Sequence, residues 1–183
     1  MKFTREHLEY ARSRVKLSKF SALMGFEVAK LYPGGAILQV VTEDHHRQVH
    51  NVMHGGVIAA LADTAAAIAA YTVIPRGAEV VTIELKINYL LPVAEGKLKA
   101  EGKVLRAGRN FIVVECDVTK QDGALAAKAL MTFGAAPGHV LTGKPVGEAG
   151  VKKSKVAGPL SRTRKTASAT LHCRPLRLLC THT

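Results

Sequence analysis

Two hydrophobic periods run along this chain. From Val81 onward, apolar residues fall on every second position: Val81, Ile83, Leu85, Ile87, Tyr89 and Leu91 share one face, while Thr82, Glu84, Lys86 and Asn88 share the other. That period predicts a strand with one face turned to a core. Three later segments repeat it. Leu98, Ala100 and Val104 alternate with Lys97, Lys99, Glu101 and Lys103; Ile112, Val114, Cys116 and Val118 alternate with Glu115, Asp117 and Thr119; Leu125, Ala127, Ala129, Met131 and Phe133 alternate with Lys128 and Thr132. The connections are short: Ala94-Glu95-Gly96, Ala107-Gly108-Arg109-Asn110 and Gln121-Asp122-Gly123. Short turns between such strands predict an antiparallel meander. Upstream, residues 25–32 and 36–42 flank Pro33-Gly34-Gly35 and predict a hairpin.

Residues 53–73 break the period of two. The stretch HGGVIAALADTAAAIAAY is apolar on all sides, and Pro75-Arg76-Gly77 ends it. A helix of that kind belongs inside a protein. An antiparallel sheet with one buried face needs a cover, and this is the one apolar element long enough to supply it. The expected fold is therefore α+β, an antiparallel sheet wrapped around one long central helix. A bilayer span also needs about 20 apolar residues. Asp63 at the helix midpoint, and flanking strands that alternate with charge, argue against a span. Residues 4–17 predict a further helix, amphipathic, with Leu8, Ala11 and Val15 on one side and Thr4 as N-cap.

Composition adds bounds. The chain has 183 residues, 48% of them hydrophobic, which excludes a disordered chain and suffices for one domain with a core. The charged N-terminus lacks the apolar stretch of a secretion signal. Cys116, Cys173 and Cys180 have neither metal-ligand spacing nor the even number of a disulfide framework, so a reducing cytoplasm is expected. The net charge of +12 divides unevenly. Residues 1–138 hold 17 Lys and Arg against 13 Asp and Glu; residues 139–183 hold 9 against 1. The chain thus reads as a domain over 1–137 and a basic, aperiodic tail over 138–183, expected to be disordered and to bind polyanions weakly.

The chemistry concentrates at the central helix. A carboxylate in apolar surroundings is costly, so Asp63 needs a reason to be there. Gly55 and Gly56 leave the first N–H groups of the helix bare, and such groups stabilise a developing oxyanion. Gln48 lies six residues before His54. His45 and His46 adjoin, but neighbours in extended chain point apart, and Asp44-His45-His46 reads as a solvated loop rather than a metal site. No zinc motif is present.

The pattern Gln48, His54-Gly55-Gly56 and Asp63, followed by a strand ending Asn88-Tyr89-Leu90-Leu91-Pro92, resembles the hotdog-fold acyl-CoA thioesterases. The phenylacetic-acid-pathway and 4-hydroxybenzoyl-CoA branch is the most similar. The resemblance covers roughly residues 1–136 and implies thioester hydrolysis without a cofactor, coenzyme A entering as part of the substrate. Gly55 would polarise the thioester carbonyl, with Gln48 donating to or orienting the same oxygen. Asp63 would act as general base on water or as nucleophile through an anhydride. His54 is implied as part of the motif, and its ring is also placed to cap local backbone. Thr82 is implied to help hold the attacking water. Ala67 stands where some relatives carry Thr or Ser.

Geometry adds a requirement. Gly55 and Asp63 are eight residues apart, about 12 Å along one helix axis. A reacting carbon must lie about 3 Å from both donor and attacking group. Two antiparallel copies satisfy this where one does not, so a homodimer with two composite sites is expected; the resemblance implies further assembly as a dimer of dimers. For the substrate, Gly56 adjoins the oxyanion donor. Arg106 and Arg109 bracket the Gly108 turn, with Lys103 near, and suit coenzyme A phosphates; Lys97 and Lys99 read as a solvated face. Ala59, Ala60, Ala62, Ala65 and Ala66 leave room for an aryl or medium-chain acyl group. Three alternatives stand beside this reading. A hydratase of the same fold would need a segment that is not visible, a non-catalytic acyl-CoA binder would have lost the acid, and a nucleic-acid binder would rest on the tail alone.

Overall fold

The computed structural model describes residues 5–75 and 77–136. The order is α1 (Arg5–Leu17), α2 (Lys19–Leu23), β1 (Glu27–Tyr32), β2 (Gly35–Val41), a 3₁₀ turn (Asp44–His46), α3 (Gly55–Tyr71), β3 (Glu79–Tyr89), β4 (Lys97–Ala107), β5 (Phe111–Lys120) and β6 (Leu125–Ala136). The tail and Thr4 lie outside the described residues. The strands form one antiparallel sheet in the order β1-β2-β4-β5-β6-β3. The expected α+β arrangement, a sheet curled around one long helix, is the arrangement found.

Local chemistry sets the elements. Pro33 and Gly34, the latter at φ +74°, occupy the two central positions of the β1–β2 turn, the residues a type II turn requires. In α1, Ala11 and Val15 are buried while Arg5 and Glu9 pair on the outer face at 3.0 Å. Ser18 caps α2 by accepting the Ser21 N–H at 3.1 Å.

The sheet's concave face meets α3. Leu38, Leu98, Ile112, Val114, Cys116, Val118, Met131 and Phe133 are fully buried there, with Leu61, Ala62, Ala65 and Ala66 of α3. The alanines allow close approach. A Cβ on Gly102 of β4 would sit 2.8 Å from the Ala65 carbonyl oxygen, so only glycine fits at that point. Ala62, Ala65 and Ala66 therefore pack under the sheet and do not line a substrate pocket; Ala59 and Ala60 are partly exposed.

Two further expectations change. The continuous alternation read for β3 breaks at a bulge between Thr82 and Glu84. Val80 and Thr82 face α3 before it and Leu85 and Ile87 after it, while Val81 and Ile83 turn outward to 39% and 56% exposure. The second is the Asp44-His45-His46 loop. His46 is 1% exposed, its Nδ1 accepting the Glu43 N–H at 3.1 Å within the 3₁₀ turn. A three-residue turn and the five-residue α2 are too short to show a period.

Candidate active site

The segment before α3 is tied down by its backbone. Gln48 N–H donates to Val52 at 2.9 Å, Met53 N–H to Val93 at 2.7 Å and His54 N–H to His46 at 2.8 Å. Arg47 clamps the same loop, donating to the Asn51 and Ala94 carbonyls. His54 is the N-cap: its Nδ1 accepts the Gly56 N–H at 2.8 Å. Gly56 thus spends its donor on His54, and a Cβ at Gly56 would lie 2.9 Å from that nitrogen.

Gly55 differs. Its N–H takes no acceptor among the described residues. Gly55 lines a cleft of about 310 Å³ with Gln48, Ile58, Tyr89, Leu91 and Pro92. Tyr89 donates its hydroxyl to the Gly55 carbonyl at 3.0 Å, and its ring lies 3.3 Å from where a Gly55 Cβ would stand. An open N–H at the positive end of a 17-residue helix, beside a side-chain amide, is suited to an anionic oxygen. Tyr89 was legible as part of a motif, but its hold on Gly55 joins residues 34 apart and had no local signal.

Asp63 occupies a second cleft, between α3 and the α1–α2 corner. Its carboxylate is partly buried and accepts the Thr82 hydroxyl at 2.9 Å. Burial pushes its pKa above the ordinary 3.8, against the opposing pull of Thr82. A carboxylate raised in this way is a stronger base than one in water. The structure thus brings Gln48, His54 and Gly55 together, and Asp63 with Thr82, as two groups. Within one chain they remain about 12 Å apart along α3.

Arg106, Gly108 and Arg109 sit exposed at the β4–β5 turn. Thr82 pairs with Phe133, Phe133 with Ile112 and Ile112 with Ala107, so this turn closes the sheet row that begins at Thr82. Three strand spacings put it about 14 Å away. Cys116 is fully buried and its thiol is pushed up to about 12 by burial, so it is no nucleophile. Among the described residues no group of three or more His, Cys, Asp or Glu is placed to hold a metal ion, and no helix is long and apolar enough to cross a membrane.

Known proteins share this fold. The model of the thioesterase superfamily matches residues 50–127. SSO2140 of Saccharolobus solfataricus, provisionally named an esterase, is 36% identical over 115 residues, 63% of this chain and 81% of that protein. The chain belongs to the thioesterase superfamily. Human acyl-coenzyme A thioesterase 13 is 27% identical over 127 residues, covering 68% of this chain and 90% of that one. The solved structure of the conserved protein PA5202 from Pseudomonas aeruginosa superposes with a TM-score of 0.64 at 34% identity, covering 67% of this chain and 97% of that one. The fold of this superfamily member is the hotdog. The matched segment contains Gly55, Asp63, Thr82, Arg106 and Arg109; Gln48 lies just before it.

Proposed function

We propose that this thioesterase-superfamily protein hydrolyses acyl-CoA thioesters to a free acid and coenzyme A. One observation carries the reading: a carboxylate, Asp63, is held by Thr82 within an otherwise apolar helix whose first N–H, that of Gly55, is left open beside Gln48. The naming of human acyl-coenzyme A thioesterase 13 supports the substrate class.

The Gly55 N–H and Gln48 bind the thioester oxygen as it gains negative charge. Asp63 of a second copy removes a proton from water as it attacks the carbonyl carbon; the C–S bond breaks and the thiolate of coenzyme A takes up a proton. The alternative route, carboxylate attack through an anhydride, uses the same atoms. His54 holds the helix start by its Gly56 bond, and Thr82 orients Asp63. Coenzyme A is part of the substrate and no further cofactor enters.

The second copy follows from the separation of the two groups. The sheet supplies a surface for it: β3 pairs on one side only among the described residues, and its Val81, Ile83 and Tyr89 are exposed at 39%, 56% and 51%. A dimer joined there brings each α3 alongside its counterpart, and dimers then pair. The β4–β5 turn with Arg106, Gly108 and Arg109 meets the phosphates of coenzyme A. The test is release of free thiol from a panel of short, medium, long and aryl acyl-CoAs. Turnover that disappears in Asp63→Asn is expected; no release from any member above a buffer blank overturns the proposal.

A further inference from the structure

The oxyanion donor belongs to a residue with little of its own to hold it. Glycine has the widest choice of backbone angles, and Gly55 carries its N–H at the first position of α3, where no intrahelical acceptor reaches it. The peptide units on either side decide where that N–H points. The unit before it is fixed by the helix, because the His54 carbonyl accepts the Val57 N–H at 2.9 Å. In a trans peptide the N–H lies opposite the carbonyl, so the Gly55 N–H is directed out of the helix start.

The unit after it is held at both ends by side chains. The Gly56 N–H donates to His54 Nδ1 at 2.8 Å, and the Gly55 carbonyl accepts the Tyr89 hydroxyl at 3.0 Å. His54 is the neighbouring residue and moves with the helix start. Tyr89 stands at the end of β3 and is anchored from elsewhere. It pairs with Ala127 of β6, and the Leu90 N–H donates to the Ala126 carbonyl at 2.8 Å. The bonds from Met53 to Val93 and from Arg47 to Ala94 join the same two segments. The Tyr89 ring adds a second constraint. It lies 3.3 Å from where a Gly55 Cβ would stand, so an aromatic wall closes the side of Gly55 that a side chain would take.

We infer that Tyr89 is a positioning residue for the oxyanion donor: through the Gly55 carbonyl, its hydroxyl sets the orientation at which the Gly55 N–H meets the substrate oxygen. The inference rests on the reading that this N–H binds the thioester oxygen. The hydroxyl reaches backbone, so its loss shows in the chemical step, while the ring keeps its place in the cleft wall.

The test compares the full chain with Tyr89→Phe, Gly55→Pro and the two combined, on the acyl-CoA that the parent hydrolyses fastest. Phenylalanine keeps the ring and removes the tether alone. We expect kcat to fall at least about fivefold, with KM within about twofold, because a misdirected donor loses an interaction made only in the transition state. The melting temperature should stay near that of the parent, since an exposed hydrogen bond adds little net stability. Gly55→Pro deletes the donor and keeps the carbonyl that Tyr89 holds. A residue acting through the donor then has nothing to act on, so Tyr89→Phe should change kcat less than about twofold in that background. In chain labelled with ¹⁵N-glycine, the Gly56 amide should exchange with solvent at least about threefold faster in Tyr89→Phe. An unchanged kcat in Tyr89→Phe overturns the inference, and so does a full fivefold loss in the Gly55→Pro background. Should Gly55→Pro not fold, the kcat and exchange measurements on Tyr89→Phe decide, and failure of either overturns it. If the parent hydrolyses no acyl-CoA, the hydrolase reading falls by itself. Faster Gly56 exchange then upholds the hold of Tyr89 on the donor peptide, and an unchanged rate overturns that as well.

Discussion

Thr82 donates its hydroxyl to Asp63 at 2.9 Å, and it does so because a bulge one residue later turns the rest of β3. The bond favours the charged carboxylate and opposes burial, which favours the neutral one. Thr82→Val removes the pull that lowers the Asp63 pKa. A base works only when deprotonated, so activity falls below its pKa. The acidic limb of the kcat/KM profile should therefore move to higher pH in Thr82→Val. A limb that stays in place separates Thr82 from the titrating group.

Asp63→Asn keeps the shape and removes the base. We expect kcat to fall by at least about 10², with KM little changed. Stability should move the other way. A raised carboxylate pKa destabilises the fold once pH rises above the ordinary 3.8, and the cost grows until the raised pKa is passed. The melting temperature of Asp63→Asn should match the parent near pH 3 and exceed it at neutral pH. A variant less stable than the parent at pH 7 contradicts this account.

Complementation tests the shared site. One partner carries Asp63→Asn, the other Gln48→Ala with Gly55→Pro. Proline suits the first helical position, and His54 before it is already extended at φ −64° and ψ 135°. Tyr89 need yield only a few tenths of an ångström. Refolding an equimolar mixture makes about half the dimers mixed, each with one intact site, so about a quarter of parental activity should return. Sites contained within single chains would return none.

Gly102→Ala presses a methyl against backbone, not against a movable side chain. The loss should be about 1–3 kcal/mol in denaturant unfolding. A neutral effect would mean that α3 shifts freely over β4.

His46 predicts an acid-sensitive loop. Burial first, and His45 beside it, hold its pKa below the ordinary 6.5, and Nδ1 must stay unprotonated to accept the Glu43 N–H. A depressed histidine contributes stability that is present above the unfolded value and lost as pH falls below it. The melting temperature should drop from about pH 7.5 to about pH 5, and less so in His46→Gln. Because His46 also accepts the His54 N–H through its carbonyl, activity should fall with it.

Much of this molecule is written locally. The strands β4, β5 and β6 follow from a period of two, and the β1–β2 turn from Pro33-Gly34. The burial of α3 follows from the absence of a polar face, and the helix ends within two residues of the expected bounds because His54 and Thr72 cap it. The cost of Asp63 in such a helix, and the bare donor at Gly55, are also readable from residue types alone. Tertiary structure decided everything that depends on which side chains meet. The bulge in β3 reverses a face without changing a residue type, so alternation assigned Val81 and Ile83 inward. The alanines of α3 look alike in sequence, yet Ala65 and Ala66 lie against Gly102 while Ala67 lines a groove, a difference set by helix rotation against β4. Arg14, Tyr71 and Glu79 gather from α1, α3 and β3, as much as 65 residues apart, and no spacing rule links them. Backbone period is a local property, whereas a site is made of long-range contacts whose energies exist only once the chain has closed.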